Sequence, residues 1–267
     1  MRLTILRLAD FGIQNQMKAA MLRPWKDAAT IMITAPPANE TLPVSGPIKS
    51  KSLPTFLLTT RSKKSSFLPG GLCFPGGAQC SEDASPEWAS YFLSNLGEDI
   101  NKASFMPSEQ MNPIPLYIKS LEERKQTMIS KEVSLRISAI RETFEECGIL
   151  LCKPITHEGF KPGIGRTSKS GVGGVVRVME LDNKAAIKEW QQRVKHDPAS
   201  FEDLCSTFKC YPDVNGLTEW NNWLTPCINT LPKRFDTIFY TAVLPKQCKL
   251  HIDSQEISDA QVSTSFA

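Results

Sequence analysis

The sequence predicts a mixture of strands and helices, on three observations. Strand-like segments open and close the chain, one strongly helical segment lies between them, and glycine- and proline-rich stretches separate the elements. The 267 residues are 41% hydrophobic and 22% charged, a globular mixture that excludes collagen-like, coiled-coil and wholly disordered chains. At about 100–200 residues per domain, that length admits one elaborated domain or two small ones. No window approaches the roughly 18 uninterrupted apolar residues of a membrane span.

Ala28–Ala35 alternates apolar and small residues and reads as a strand that Pro36 and Pro37 end, before a Pro/Ser/Lys-rich loop to Ser52. Phe56–Arg61 reads as a second strand, followed by the polar turn Ser62–Ser66. Pro69-Gly70-Gly71-Leu72-Cys73-Phe74-Pro75-Gly76-Gly77 sets a very short apolar strand between two glycine pairs, where the backbone must be tight. Trp88, Tyr91, Phe92 and Leu96 fall on one helical face, and Tyr117–Met128 looks helical again. Ser134–Cys147 is the clearest helix, with Leu135, Ile137, Ile140 and Phe144 in helical period and Gly148 placed to end it. Gly163–Gly174 is a glycine- and base-rich loop, Lys184–Phe208 is helical with a break at Pro198, and Trp220–Leu224 and Phe235–Leu244 read as the last strands.

The net charge of +3 is too mild to indicate nucleic acid. Its distribution is uneven: residues 1–80 hold ten lysines and arginines against three acids, and the remainder 21 against 25. A basic front and an acidic back suit an anionic substrate held beside acidic metal ligands, although uneven surface charge alone is the plainer reading. The eight cysteines are dispersed; the closest pairs, Cys147/Cys152 and Cys205/Cys210, make no C-x-x-C, and His157, His196 and His251 stand at no zinc spacing from them. Reduced, mostly packing cysteines of an intracellular protein are therefore expected. The N-terminal 33 residues carry five basic groups against Asp10 and Asp27, but no secretory apolar core and no serine-rich presequence. Ser265-Phe266-Ala267 is no peroxisomal Ser-Lys-Leu signal.

Arg141-Glu142-Thr143-Phe144-Glu145-Glu146-Cys147-Gly148-Ile149 concentrates the chemistry. Glu142 has Glu145 and Glu146 as its i+3 and i+4 neighbours, so the three carboxylates can converge on one point. Like charges that close repel unless a cation lies between them, and Mg²⁺, which takes carboxylate oxygens and substrate phosphates, meets that need. A solvated, Glu-rich surface helix is the bland alternative.

This stretch resembles the second half of the Nudix hydrolase box, G-x5-E-x7-R-E-U-x-E-E-x-G-U with U apolar. Arg141, Glu142, Glu145, Glu146, Gly148 and Ile149 match, and Thr143 replaces the first apolar U. Val133 stands where an unbroken box has glutamate; Phe74-Pro75-Gly76-Gly77 supplies the glycine half instead, with Asp83 at the glutamate position and 50 residues inserted before Arg141. A box split there resembles the Nudix motif-19 branch, the acyl-coenzyme A diphosphatases. So do Thr60-Arg61-Ser62, Phe67-Leu68-Pro69-Gly70, Ser85-Pro86-Glu87-Trp88, Glu219-Trp220-Asn221-Asn222-Trp223-Leu224-Thr225-Pro226 and Pro232-Lys233-Arg234-Phe235-Asp236-Thr237. Asp83 departs from the pattern by being one methylene short, which weakens a supporting bond. The chain also ends soon after Gln255-Glu256-Ile257, with Val262 where family members have tryptophan, so a C-terminally truncated form is expected.

The resemblance implies an α/β/α Nudix sandwich with a mixed sheet. Residues 1–27 form an N-terminal extension and residues 28–267 the Nudix domain, with residues 84–132 as a helical insertion inside the box that caps the mouth and meets an acyl chain. It implies an Mg²⁺- or Mn²⁺-dependent hydrolase of a phosphoanhydride bond, acting on coenzyme A or an acyl-coenzyme A as small-molecule partner. Hydrolysis gives adenosine 3′,5′-bisphosphate and (acyl-)4′-phosphopantetheine. Glu142, Glu145 and Glu146 are the implied metal ligands, with Glu142 and Glu146 as the paired ones. Glu142, Glu145 and Arg141 carry the catalytic roles, Arg141 by orienting a glutamate. Gly76, Gly77 and Arg61 are placed at the substrate, the glycines because a Cβ would collide there. The compartment implied is peroxisome or mitochondrion. Another nucleoside diphosphate derivative as substrate, or a non-catalytic binding or regulatory form, stays open. Lower in weight are Arg61, Lys63 and Lys64 at a 3′-phosphate, a phosphate cradle in Gly163–Gly174 (which lacks the Gly-Lys-Ser/Thr pattern) and Trp220 and Trp223 stacked on adenine rather than packed between strands.

Overall fold

The computed structural model of the chain describes residues 25–43, 54–65, 67–102, 105, 129–155, 175–181, 183–226 and 233–263. The first expected strand is β1 (Lys26–Ala35), buried without interruption from Ala28 to Ile33. A strand covered on both faces needs no polar alternation, which is why Ala-Thr-Ile-Met-Ile-Thr-Ala contains so little. On one edge β1 runs parallel to β8 (Phe235–Val243), from Lys26↔Phe235 to Thr34↔Val243, and β7 (Thr218–Leu224) continues antiparallel beyond it. The other edge of β1 is shared. Thr34 and Ala35 pair with β2 (Thr55–Arg61), while Ala28, Ala29 and Thr30 pair with β4 (Gly76–Ala78). The glycine half of the box is thus itself a strand. β3 (Leu72–Cys73) and β9 (Ile257–Ser263) both pair with β2, so that the described residues form a mixed seven-stranded sheet.

The two strands expected to be the last are therefore followed by β9. Its Ser258, Asp259 and Gln261 leave little apolar period to read, and its order comes from pairing along β2, from Phe56↔Ser263 to Arg61↔Ile257. Val262 lies on this strand, about half exposed.

Among the described residues four α-helices pack into one core with Ala29, Ile31, Ile33, Ile238 and Tyr240. Helix α1 (Glu87–Leu96) buries Trp88, Tyr91 and Phe92, the expected face, and ends on Gly97 at φ +66. Helix α2 (Lys131–Cys147) starts three residues earlier than its apolar rhythm suggests, because Ser130 caps it by accepting from the Val133 N–H and because its first turns bury Glu132 and Arg136. Its end is as expected: Gly148, at φ +69, donates its N–H to the Phe144 carbonyl at 2.8 Å. Helices α3 (Lys184–His196) and α4 (Ser200–Thr207) are separated at Pro198, and Asn183 caps α3 through the Ala185 and Ala186 N–H groups. Among the described residues no helix is long and apolar enough to cross a membrane.

The described part of the insertion is not at the mouth of the sheet's cavity. Trp88 of α1 packs on Phe201 of α4, Phe92 packs on Tyr211, and the Tyr91 hydroxyl donates to the Cys210 carbonyl at 2.6 Å. These large apolar side chains belong to the core, which explains why α1 is held there. The helix expected over Tyr117–Met128 and the Gly163–Gly174 loop lie outside the described residues. Behind α1, β5 (Cys152–Pro154) and β6 (Cys210–Pro212) form a second, two-stranded sheet. There the Cys152, Cys205 and Cys210 thiols meet, and hydrogen bonding from Cys152 and Cys205 brings the Cys210 thiol down to about 5.

Candidate active site

The two halves of the interrupted box come together where α2 packs against β1 and β4. The Gly76 N–H donates to Glu146 Oε2 at 3.0 Å, across 70 residues of sequence. A Cβ on Gly77 would lie 2.4 Å from the Glu142 carboxylate, and one on Gly76 would lie 2.3 Å from the Ala29 carbonyl oxygen of β1. Gly76 also sits at φ +149, which side-chain-bearing residues rarely adopt. The glycines are thus required by a neighbouring strand and by the carboxylate that lies over them.

Arg141 organises the acids. It is buried, and its Nε and Nη2 donate to the two oxygens of Asp83 at 2.7 and 3.0 Å. Nη2 also donates to Glu142 Oε1 at 2.9 Å, and Nη1 to Glu145 Oε1. Asp83, presented by a short 3₁₀ turn at Glu82–Ala84, further accepts from the Cys80 N–H at 3.1 Å. The shorter aspartate therefore makes a full two-pronged bond to the guanidinium, where the sequence suggested a weakened one. Arg141 thus holds Glu142 and Glu145, and Asp83 holds Arg141 in turn.

Four carboxylates surround this one guanidinium or its immediate neighbours. Burial pushes the Glu142 carboxyl above its ordinary range, reinforced by Asp83 and Glu256 and opposed by Arg141. Burial likewise raises Glu145, to about 7, and raises Glu146, with the Glu142 charge adding to the effect. Arg141 is driven further toward its charged form: Glu142 and Asp83 beside it outweigh the opposing effect of burial.

A cavity of about 610 Å³ opens against this cluster. Glu142 and Glu146 stand in its wall with Gly76, Gly77 and Thr30, while Arg141 and Glu145 do not reach it. Among the described residues, Glu142, Glu145 and Glu146 do not bring oxygens all within 4.8 Å of one another. The reason is their tethers: Arg141 draws Glu145 back into the helix packing, and the Gly76 N–H fixes Glu146. Arg61 lines the cavity, but its guanidinium braces the adjoining turn, donating to Ser65 Oγ at 3.1 Å and to the Phe67 carbonyl at 3.1 Å. Lys64 and Lys233 add positive charge to the wall, and Phe67, Phe74, Phe235 and Phe239 add apolar surface. Trp220 and Trp223 are about half exposed and lie against Phe239, their ring centroids 6.3 and 5.1 Å from it.

The cavity's remaining wall has no local signature in the sequence. Lys195 of α3 pairs with Asp253 and with Glu256, the latter at 3.2 Å, and thereby sets Glu256 in the cavity. The same segment ties down the end of α2: the Asp253 N–H donates to the Glu146 carbonyl at 3.1 Å and the His251 N–H to the Cys147 carbonyl at 2.8 Å. Gln191 Nε2 donates to the Phe144, Glu145 and His251 carbonyls. No local spacing signals these residues, since only the topology brings residues 191–195 and 251–256 beside residue 146.

The donor set suits a hard divalent cation. Buried oxygen ligands outnumber the single guanidinium among them, and two carboxylates face open volume beside basic groups.

Comparison with known proteins agrees with this geometry. Residues 25–266 match the NUDT19 Nudix domain. The chain is 32% identical over 246 residues to the acyl-coenzyme A diphosphatase NUDT19 of Xenopus laevis, covering 89% of this chain and 61% of that protein. It is 34% identical over 245 residues to that of Gallus gallus, covering 89% and 60%, and 30% identical over 263 residues to that of Homo sapiens, covering 92% and 64%. The chain thus spans somewhat under two thirds of the length of these relatives. Its fold is similar to the crystal structure of a NUDIX hydrolase from Alicyclobacillus acidocaldarius, with a TM-score of 0.54 at 19% identity over 91% of this chain and 80% of that one.

Proposed function

This chain belongs to the NUDT19 Nudix family, and from that premise we propose that it hydrolyses the diphosphate bridge of coenzyme A and its acyl esters. Water adds to one phosphorus, and the bridging oxygen departs with the other phosphate. The products are adenosine 3′,5′-bisphosphate and (acyl-)4′-phosphopantetheine. One observation carries this reading: Glu142 and Glu146 stand in the wall of the same cavity as Gly76 and Gly77, which follow each other in the strand paired with β1.

Glu142 and Glu146 are the residues that would hold Mg²⁺ or Mn²⁺. Such an ion, when bound, offsets the charge that builds on the phosphate oxygens. The chain's own groups do the rest. Asp83 and Arg141 fix Glu142 from behind, so its carboxylate stays over Gly77 without reorganising during the reaction. The Gly76 N–H does the same for Glu146. The proton of the attacking water passes to a carboxylate in the cavity wall. Lys64 and Lys233 draw the anionic substrate in, and the phenylalanine wall takes its less polar portion.

The test is incubation of the full chain with an acyl-coenzyme A and Mg²⁺ while released adenosine 3′,5′-bisphosphate is measured. Wild-type protein should release it, and Glu146→Gln should reduce release by about 10²–10³-fold or more, the scale for losing one electrostatic stabiliser. Cleavage confined to other nucleoside diphosphate derivatives would reassign the substrate. Folded protein that cleaves none of them would refute the enzymatic reading.

A further inference from the structure

Away from the cavity, three cysteines that the proposed reaction does not use converge. Cys152 comes from β5, Cys205 from the last turn of α4 and Cys210 from the first position of β6. Their sulfurs all lie within 4.8 Å of one another, all three residues are 0% exposed, and none is in a disulfide. Among the described residues this is the one group of three or more metal-ligating side chains gathered so closely.

The backbone brings them together by specific means. Pairing of β5 with β6 sets Cys210 opposite Pro154 and Cys152 opposite Pro212, so the two cysteines lie diagonally on the same face of the ladder. The chain turns between α4 and β6 through Phe208 and Lys209, and Lys209 takes φ +49, in the left-handed region that side-chain-bearing residues rarely adopt. That turn returns Cys210 beside Cys205, only five positions earlier. A cation about 2.3 Å from each of three sulfurs holds them about 3.8–4.0 Å apart, within the span seen here.

We propose that Cys152, Cys205 and Cys210 form a three-thiolate site for a soft d¹⁰ cation, Zn²⁺ or Cu⁺. Thiolate ligands select these ions over the hard cations that suit the glutamate cluster, so the two sites would not compete for the same metal. Three sulfurs complete a trigonal Cu⁺ shell, whereas zinc takes a fourth donor. With no solvent exposure at any of the three, the ion would enter during folding and cross-link β5, α4 and β6. Its role is structural, and it is independent of the diphosphatase reading.

The experiment is to express the full chain in medium supplemented with Zn²⁺ or with copper under reducing conditions, purify it without chelator, and measure bound metal by mass spectrometry. One equivalent of zinc or copper per chain is expected, with Tm above that of the metal-free chain. It should be lost in Cys205→Ala and retained in Glu142→Gln. Zinc alone assigns the divalent ion, and copper alone the monovalent one. Wild-type protein free of both metals, or metal that persists in Cys205→Ala, would overturn the proposal. Should Cys205→Ala fail to fold, wild-type chain grown with Co²⁺ decides. Near-ultraviolet thiolate-to-cobalt charge-transfer absorption or copper in the copper-grown chain is the supporting result, and absence of both refutes the site.

Discussion

Helix α2 buries two arginines five residues apart, Arg136 and Arg141, and their surroundings differ in one respect that matters. Arg136 is sealed. It bonds Glu219 at 3.0 Å and the Glu132 carbonyl at 3.2 Å, and its guanidinium lies 3.9 and 4.9 Å from the centres of the Phe105 and Tyr240 rings. Arg141 bonds three carboxylates, and one of them, Glu142, faces open volume. Two equally buried guanidinium groups on one helix thus do different work: the closed pair anchors packing, and the acid-rich cluster holds charge that the protein alone leaves unbalanced. Burial of a charged residue therefore says little about function until its partners are counted.

The sharpest way to break this contrast is to remove the closed pair. Arg136→Ala would leave Glu219 buried without its guanidinium partner, and unfolding in urea should show a loss of about 3–5 kcal/mol, with turnover per folded molecule unchanged. Asp83→Asn should do the reverse. It keeps the shape behind Arg141 but frees the guanidinium to pull on Glu142, so the proposed diphosphatase turnover should fall about 10–100-fold with a smaller stability change than Arg136→Ala. Equal effects of the two substitutions on stability and on turnover would erase the distinction.

The smallest effect is one of pH. Glu142, Glu145 and Glu146 all titrate above their ordinary range in the folded chain, Glu145 at about 7. The folded state therefore binds more protons than the unfolded one above the ordinary carboxylate range, for Glu145 up to about 7. Their contribution to stability is present at acid pH and is lost as pH rises through their raised folded-state values. Without added metal, thermal unfolding at pH 8 should occur a few degrees below that at pH 5, and Mg²⁺, which requires ionised carboxylates, should narrow the gap. A Tm that rises with pH in the metal-free chain would contradict the assigned electrostatics.

Much of this could be read from the residues, and the exceptions have physical causes. Helix α2 was legible because Ile137, Ile140 and Phe144 keep helical period and Gly148 ends the run; its first turns were not, because Glu132 and Arg136 are buried charges that an apolar pattern hides. Strand β4 was hidden because Gly76-Gly77-Ala78 reads as a turn, and its pairing depends on Ala28, Ala29 and Thr30, far away in sequence. The i,i+4 spacing of Glu142 and Glu146 makes them legible as neighbours on one helix. Lys195 and Glu256 were missed because only folding brings α3 and the segment before β9 together. The same limit applies to the cysteines. Cys205 and Cys210 look unremarkable until β5 sets Cys152 beside them.

Calorimetric titration of Mn²⁺ into the full chain addresses the acidic cluster most directly. Wild-type protein should show saturable binding of one or more ions, and Glu142→Gln and Glu146→Gln, each verified as folded, should abolish or severely weaken it. Binding of undiminished affinity in both variants, or none in the wild type, would mean that the carboxylates over Gly76 and Gly77 do not hold a metal.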